Sequence, residues 1–259
     1  MKLSYPLLTT LLILSWLQPH NSSANELTYL IIANQAEPFQ INSSNYQANS
    51  GIISDVVAAL ANKKNLTITT HVMPFKRYIH EIEKNTYTNW ISYGSPLWRL
   101  EKQHWAQNKR LSKQALFRAR HSLVQRHDDP THYAKVEDLF GKTVILLKGF
   151  DYPGVMPFIK TGQIKKVDVK SHQSALKALT SKRDDVFIEM DSRIRYALKQ
   201  HNIDRTSLKL TDVPLITPSL DIHLSFGDEV SQDTIDWIDD QIIIMKANAQ
   251  LEAIINRYQ

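Results

Sequence analysis

MPFKRYIHEIEKNTYTNWISYGSPLWRLEKQHWA, from Met73 to Ala106, states a pattern that the chain repeats. The second statement is GKTVILLKGFDYPG, from Gly141 to Gly154, followed by SHQSALKALTSKRDDVFIEMD, from Ser171 to Asp191. In each half an amphipathic helix feeds a short apolar strand, and polar or aromatic residues stand where that strand ends. Open α/β sheets bind ligands beyond such strand ends. Two lobes of this kind facing one another form a clamp.

Outward from these stretches the periodicity supplies the remaining elements. LTYLIIA (Leu27 to Ala33) reads as a first buried strand, ended by Pro38. After Gly51, apolar residues at Ile53, Val56, Val57 and Leu60 predict a helix over Ile52 to Asn62. LTITTHV is a second strand, Pro74 takes the first helical position ahead of Tyr78, Ile79 and Ile82, and NWISYG is a third strand. This order implies a parallel sheet with right-handed crossovers. After SLVQR (Ser122 to Arg126) and the polar loop HDDPTH, the pattern restarts. Strands follow at Thr143 to Leu147, Val167 to Val169 and Val186 to Glu189, with helices at Gln173 to Ser181 and Ser192 to His201. Ser171 and Ser192 are candidate caps. DIHLSF alternates like a strand with one wet face, and two helical stripes close the chain, Ile235–Ile238–Ile242–Met245 and Leu251–Ile254–Ile255–Tyr258.

The start of the chain has the marks of a secretory leader: Lys2, an apolar run over Pro6 to Leu17, and small residues at Ser22, Ser23 and Ala24. Cleavage after Ala24 would lower the net charge from +5 to +4, because Lys2 is the only charged residue removed. The run is too short to cross a bilayer, which takes about 20 apolar residues. The absence of cysteine excludes disulfides, thiolate chemistry and Cys-ligated zinc. A periplasmic location follows. Basic residues such as Lys63–Lys64, Arg118, Arg120, Arg193 and Arg195 are scattered and read as solvated surface, and no nucleic-acid-binding signature accompanies them.

Several residues could carry binding. Arg99 follows a strand end (Tyr93, Gly94, Ser95) and Pro96, where a guanidinium can grip a carboxylate with two parallel hydrogen bonds; the alternative is a surface arginine paired with Glu101. Phe39, Phe75, Tyr93, Trp98, Phe150 and Tyr152 sit at strand–helix junctions and as a set point to an aromatic-lined cleft, though each alone reads more readily as core. Gly149 could let backbone N–H groups converge on an anion at a helix start, with Asp151 opposing a phosphate there. Glu189 and Asp191 could pair with a ligand ammonium, unless Asp191 caps the next helix. His127, Asp128, Asp129 and His132 fit a plain surface loop better than a metal site, and no metal or other cofactor is expected. Neither a G-x-S-x-G elbow nor an H-E-x-x-H helix occurs, so serine-hydrolase and zinc-protease readings have no motif.

Taken in order, these motifs resemble bacterial extracellular solute-binding protein family 3, the periplasmic receptors associated with amino-acid ABC importers. EPFQ with the later Gly51 resembles that family's opening, MPFKRY its next segment, and SPLWRLEKQHWA the stretch that places its carboxylate-gripping arginine on Arg99. GKTVILLKGFDYPG, SALKALTSKRDDVFIE and the closing IIIMKANAQLEAIINRYQ continue the match over nearly the whole mature chain. The resemblance implies a two-lobe type II periplasmic-binding-protein fold of the α/β class. The first lobe comprises 25–117 and 220–259, the inserted lobe 118–219, and hinges lie near 118–121 and 214–219. It implies a monomer that binds a small molecule, with an ABC permease or a membrane sensor as partner. It leaves open an enzyme resembling cyclohexadienyl dehydratase, in which Glu37 or Glu189 would be the general acid. The sequence departs from the family at Ala36, Asn89, Phe150 and Lys182, and the acid closing the second lobe's strand falls on Glu189, Met190 or Asp191. With these departures the resemblance implies the fold without implying a retained grip on an α-amino acid.

Overall fold

The computed structural model describes residues 26–42, 49–100, 106, 109–150, 152–214 and 216–258, with the side chains of 99 and 100 excepted. The leader and Asp151 therefore lie outside the described residues, as does the Arg99 side chain. The backbone at Arg99 is described and lies in a short helix.

The first sheet takes β1 (Glu26–Ile32), β2 (Thr67–Met73), β3 (Trp90–Gly94), β4 (Arg110–Ala119) and β10 (Leu220–Phe226) in the order β2-β1-β3-β10-β4. The second takes β5 (His121–Arg126), β6 (Thr143–Leu147), β7 (Lys165–Val169), β8 (Val186–Met190) and β9 (Leu208–Asp212) in the order β7-β6-β8-β5-β9. Each sheet follows one plan, three parallel strands and then two antiparallel ones. The expected mostly parallel sheet of each lobe is found in its three parallel strands, and the other two strands make each sheet mixed. The chain passes from one sheet to the other between β4 and β5 and returns between β9 and β10, the double crossover of a two-lobe α/β fold.

Strands β4 and β9 carry no clean apolar alternation and were not expected. β4 is a sheet edge whose Lys113 and Arg118 reach Asp236 and Asp221, so its charges face water and blunt an otherwise pairable edge. DIHLSF, expected to have a wet face, instead runs between β3 and β4 and is buried along nearly its whole length.

Helix α1 (Ile52–Lys64) starts at Gly51, whose φ of 112° and lack of a Cβ are both required: an added Cβ would stand 2.7 Å from the Phe39 carbonyl oxygen. The terminal helices, α7 (Gln232–Ala247) and α8 (Gln250–Asn256), return to this lobe. Beyond α8, the Tyr258 hydroxyl accepts the Gly51 N–H and donates to Asp55, tying the end of the chain to the first turn of α1.

In the second lobe the alternation of TVILL sorts side chains to two faces. Val144 and Leu146 pack with Leu123, Ile188 and Val155, on the side of the short helix α4 (Met156–Lys160). Ile145 and Leu147 pack with Leu176 and Leu179 of α5 (His172–Thr180) and Ile194 and Leu198 of α6 (Asp191–Gln200). Each fully buried Ile or Leu contributes roughly 1.5–3 kcal/mol. Ser171 caps α5 by accepting the Ser174 N–H, as expected. Ser192 does not cap α6: the helix begins one residue earlier, behind Met190, and the Ser192 hydroxyl is buried without a hydrogen-bond partner among the described residues.

Candidate functional site

The ends of β3 and β8 face each other across a cavity of about 260 Å³ between the two lobes. The first lobe contributes Ile32 at the end of β1, Phe75 and Tyr78 from α2 (Phe75–Glu83), Tyr93 from β3 and Trp98 from α3 (Pro96–Leu100). The second contributes Phe150 and Tyr152 from the loop after β6, with Glu189, Met190 and Arg193 from the β8–α6 junction. His121, Thr217 and Pro218 close it at the crossovers.

The aromatic wall is continuous across the lobes. Phe75 stacks on Phe150 with centroids 4.8 Å apart and planes 10° from parallel. Gly149, at φ 100°, makes the turn that delivers Phe150. No helix starts at Gly149, however, and the Phe150 N–H donates to the Leu147 carbonyl, so the expected anion cradle there is not formed. Tyr93 meets Trp98 edge-on at 5.9 Å, and Phe39, fully buried, meets Tyr93 edge-on from behind at 5.8 Å.

The charged centre is a residue that scattered basic sequence does not reveal. Arg193 is only 1% exposed, which corrects its reading as solvated surface. A strand buried to its last residue, followed at once by a helix, turns the third helical residue back over the strand end. The guanidinium lies 3.6 Å from Glu189, donates to the Tyr93 hydroxyl of the other lobe at 3.4 Å, and sits over the rings of Phe39 and Phe150 at 5.0 and 5.4 Å. Its Nε and one terminal nitrogen have no hydrogen-bond partner among the described residues. The signal available in the sequence was the i,i+4 spacing of Glu189 and Arg193 across the junction.

Glu189 is itself buried. One carboxylate oxygen accepts the Met190 N–H at 2.8 Å, and the other lies 3.3 Å from His172 Nε2. Burial pushes the carboxyl up, but Arg193, His172 and the Met190 N–H outweigh it and hold the pKa down to about 2. Burial raises the Tyr93 and Tyr152 hydroxyls and lowers His121, whose Nδ1 lies 3.1 Å from the Pro218 carbonyl oxygen.

Of the sequence candidates, Tyr93, Trp98, Phe150 and Glu189 line this cavity, as do Phe75 and Tyr152. Gly94 is a close-approach position beneath it: an added Cβ would stand 3.0 Å from the Leu111 side chain. Ser95 is buried, with no hydrogen-bond partner for its hydroxyl among the described residues. Asp191 is a correction. Its carboxylate pairs with Arg195 at 2.6 Å in a separate groove on the other side of the junction, where it does not reach the cavity. Glu37 does not line the cavity either. In the HDDPTH loop, Asp128 is held by Arg126 and Lys182, and Asp129 accepts from Tyr133 and the Thr131 N–H. No cluster of three metal-capable side chains occurs among the described residues. Nor is any described helix long and apolar enough to cross a membrane.

No family model matches the sequence, and no curated protein is significantly similar to it. Solved structures are similar over most of both chains. A variant of ArgBP from T. maritima has 18% identity and a TM-score of 0.67, covering 91% of this chain and 96% of that one. A histidine kinase sensor domain with similarity to periplasmic binding proteins has 14% identity and a TM-score of 0.69, covering 90% and 95%. The periplasmic VFT2 domain of Bordetella pertussis BvgS has 16% identity and a TM-score of 0.65, covering 91% and 94%. Two mixed five-stranded sheets, a double crossover and this likeness together show that the chain has the two-lobe periplasmic-binding-protein fold.

Proposed function

We propose that this protein is a periplasmic solute-binding protein of the family 3 type. It captures a small carboxylate-bearing ligand between its lobes and presents it to an ABC importer. The observation that carries this reading is the interlobe cavity, with aromatic walls from both lobes and a buried Arg193 whose Nε has no hydrogen-bond partner among the described residues. Concave, mostly apolar sites with a few convergent polar groups are the usual form of a small-molecule site. Arg193 anchors the carboxylate, and Tyr93, Trp98 and Phe150 enclose the body of the ligand. Contacts to both lobes stabilise only the closed form, so binding drives rotation about hinges at 118–121 and 214–219. The leader ending at Ala24 directs export.

Binding fits this site better than catalysis. A general acid at neutral pH needs a raised carboxyl pKa, and Glu189 is held low. The likeness to the histidine kinase sensor domain supports a second reading, in which the closed form is presented to a membrane sensor. Mass spectrometry of the small molecules that copurify from the periplasm, joined to small-angle scattering, tests the proposal. A copurified acid that reduces the radius of gyration on re-addition supports it. A scattering profile unchanged by every copurified compound counts against it.

A further inference from the structure

We infer that the crossover end of the cavity is a second polar subsite, in which His121 Nε2 and the Thr217 hydroxyl take a hydrogen-bond donor that the ligand carries beside its carboxylate. The inference rests on the solute-binding reading and specifies its ligand class: an acid substituted with a hydroxyl or an ammonium, not a bare one.

The tautomer of His121 follows from its partner. A carbonyl oxygen can only accept, so the 3.1 Å hydrogen bond between His121 Nδ1 and the Pro218 carbonyl places a proton on Nδ1. Burial, with Arg193 nearby, lowers the imidazole pKa against the pull of Glu189 and the Pro218 carbonyl. The ring is therefore neutral at pH 7, and Nε2 is an acceptor. His121 is 8% exposed and lines the cavity, and no described group donates to Nε2. The bond to Pro218 also joins the two crossovers, as does the Val213 N–H, which donates to the His121 carbonyl at 3.4 Å. The acceptor is thus held in place from both sides.

Thr217 precedes Pro218 and lines the same end of the cavity. It is 7% exposed, and its hydroxyl has no hydrogen-bond partner among the described residues. Buried polar groups of this kind cost free energy until they are matched. A ligand hydroxyl that donates to Nε2 can accept from Thr217, and an ammonium can donate to both. The carboxylate end lies close by: His121 pairs with Met190 in the β5–β8 ladder, and Met190 stands between Glu189 and Arg193 in the chain.

Calorimetry on the mature chain tests this with two sets of acids. One is 3-phenylpropionate, L-3-phenyllactate and L-phenylalanine; the other is 4-methylpentanoate, L-2-hydroxy-4-methylpentanoate and L-leucine. Within each set only the substituent beside the carboxylate differs, and the hydroxy and amino members separate the two kinds of donor. In at least one set a substituted acid should bind about 5- to 100-fold tighter than the bare one, which leaves a buried acceptor unmatched. His121→Asn keeps a donor for the Pro218 carbonyl and loses the acceptor at the Nε2 position; Thr217→Val loses the hydroxyl at nearly constant shape. Each should shrink that ratio about threefold or more, with a melting temperature near that of the wild type. If a variant does not fold, the native-chain ratios decide. A bare acid bound as tightly as its substituted forms overturns the inference and leaves the solute-binding reading standing, as does a ratio unchanged in both folded variants. If all six compounds fail to bind, a copurified hydroxy or amino acid supports the inference, and a copurified acid without either group overturns it alone. Failure of all six with no copurified ligand overturns both.

Discussion

Arg193→Met should destabilise the fold through the charge it leaves behind. At 3.6 Å the Glu189–Arg193 pair attracts by about 5 kcal/mol at an effective dielectric near 20. Both side chains are nearly inaccessible, 3% and 1% exposed, so solvent does little to screen the loss. Removing one partner of a buried pair typically costs 3–5 kcal/mol. Because His172 remains 3.3 Å from the carboxylate, the expected loss lies at the lower end, about 3 kcal/mol. Glu189→Leu should cost a similar amount, since it strands the guanidinium. The double variant, apolar on both sides, should lose about 1 kcal/mol or less, because a buried pair is often replaceable by packed hydrophobics. Urea unfolding of the four proteins gives the coupling energy directly. The pH dependence supplies a second sign. In the wild type the Glu189 carboxyl is depressed to about 2 from 4.5, so its contribution is complete above 4.5 and is lost as pH falls towards 2. In Arg193→Met, burial dominates and the acid stays protonated, so stability should instead fall as pH rises above 4.5. A coupling energy below about 1 kcal/mol, with parallel pH profiles, would refute the reasoning.

Three further outcomes are expected. Phe150→Ala removes the stacked pair with Phe75, an aromatic contact of about 0.5–1.5 kcal/mol beyond its buried area, and should enlarge the radius of gyration of the unliganded protein in scattering; an unchanged radius would show that the stack does not hold the lobes together. Gly154→Ala places a Cβ 1.6 Å from the Ile216 carbonyl oxygen and should cost about 1–3 kcal/mol or more in urea unfolding; a loss below 0.5 kcal/mol on that scale would mean the two segments part readily. Treatment with EDTA should leave the melting temperature unchanged, because Asp128 and Asp129 are engaged by Arg126, Lys182, Thr131 and Tyr133; a drop of several degrees would reopen a metal site at the HDDPTH loop.

The elements legible in the sequence are those whose burial is periodic. TVILL predicted a strand at the residues observed, and Ser171 predicted a cap, because each signal is local. The stripes over Ile235–Met245 and Leu251–Ile255 predicted the helices that return to the first lobe. The edge strands β4 and β9 were not legible. An edge needs charge more than alternation, and β4 also shifts register against β10 around His223. The aromatic wall was legible as a set, since Tyr93, Trp98 and Phe150 each stand beside a strand end. Arg193 was not, because an arginine in sequence gives no sign of burial. Only the tertiary placement of α6 under the opposite lobe puts its guanidinium against Tyr93. The misplacement of Asp191 has the same origin. One residue of helix register decides whether a carboxylate at this junction enters the cleft or turns to Arg195.

The central claim is that the cavity between the lobes is a carboxylate site centred on Arg193. The most direct measurement is a crystal structure of the protein purified from the periplasm with its copurified ligand retained. The account predicts density for a small acid against the Phe75–Phe150 wall, with its carboxylate within hydrogen-bond distance of the Arg193 guanidinium. A ligand seated elsewhere, or one in this cavity that turns its carboxylate away from Arg193, would contradict it.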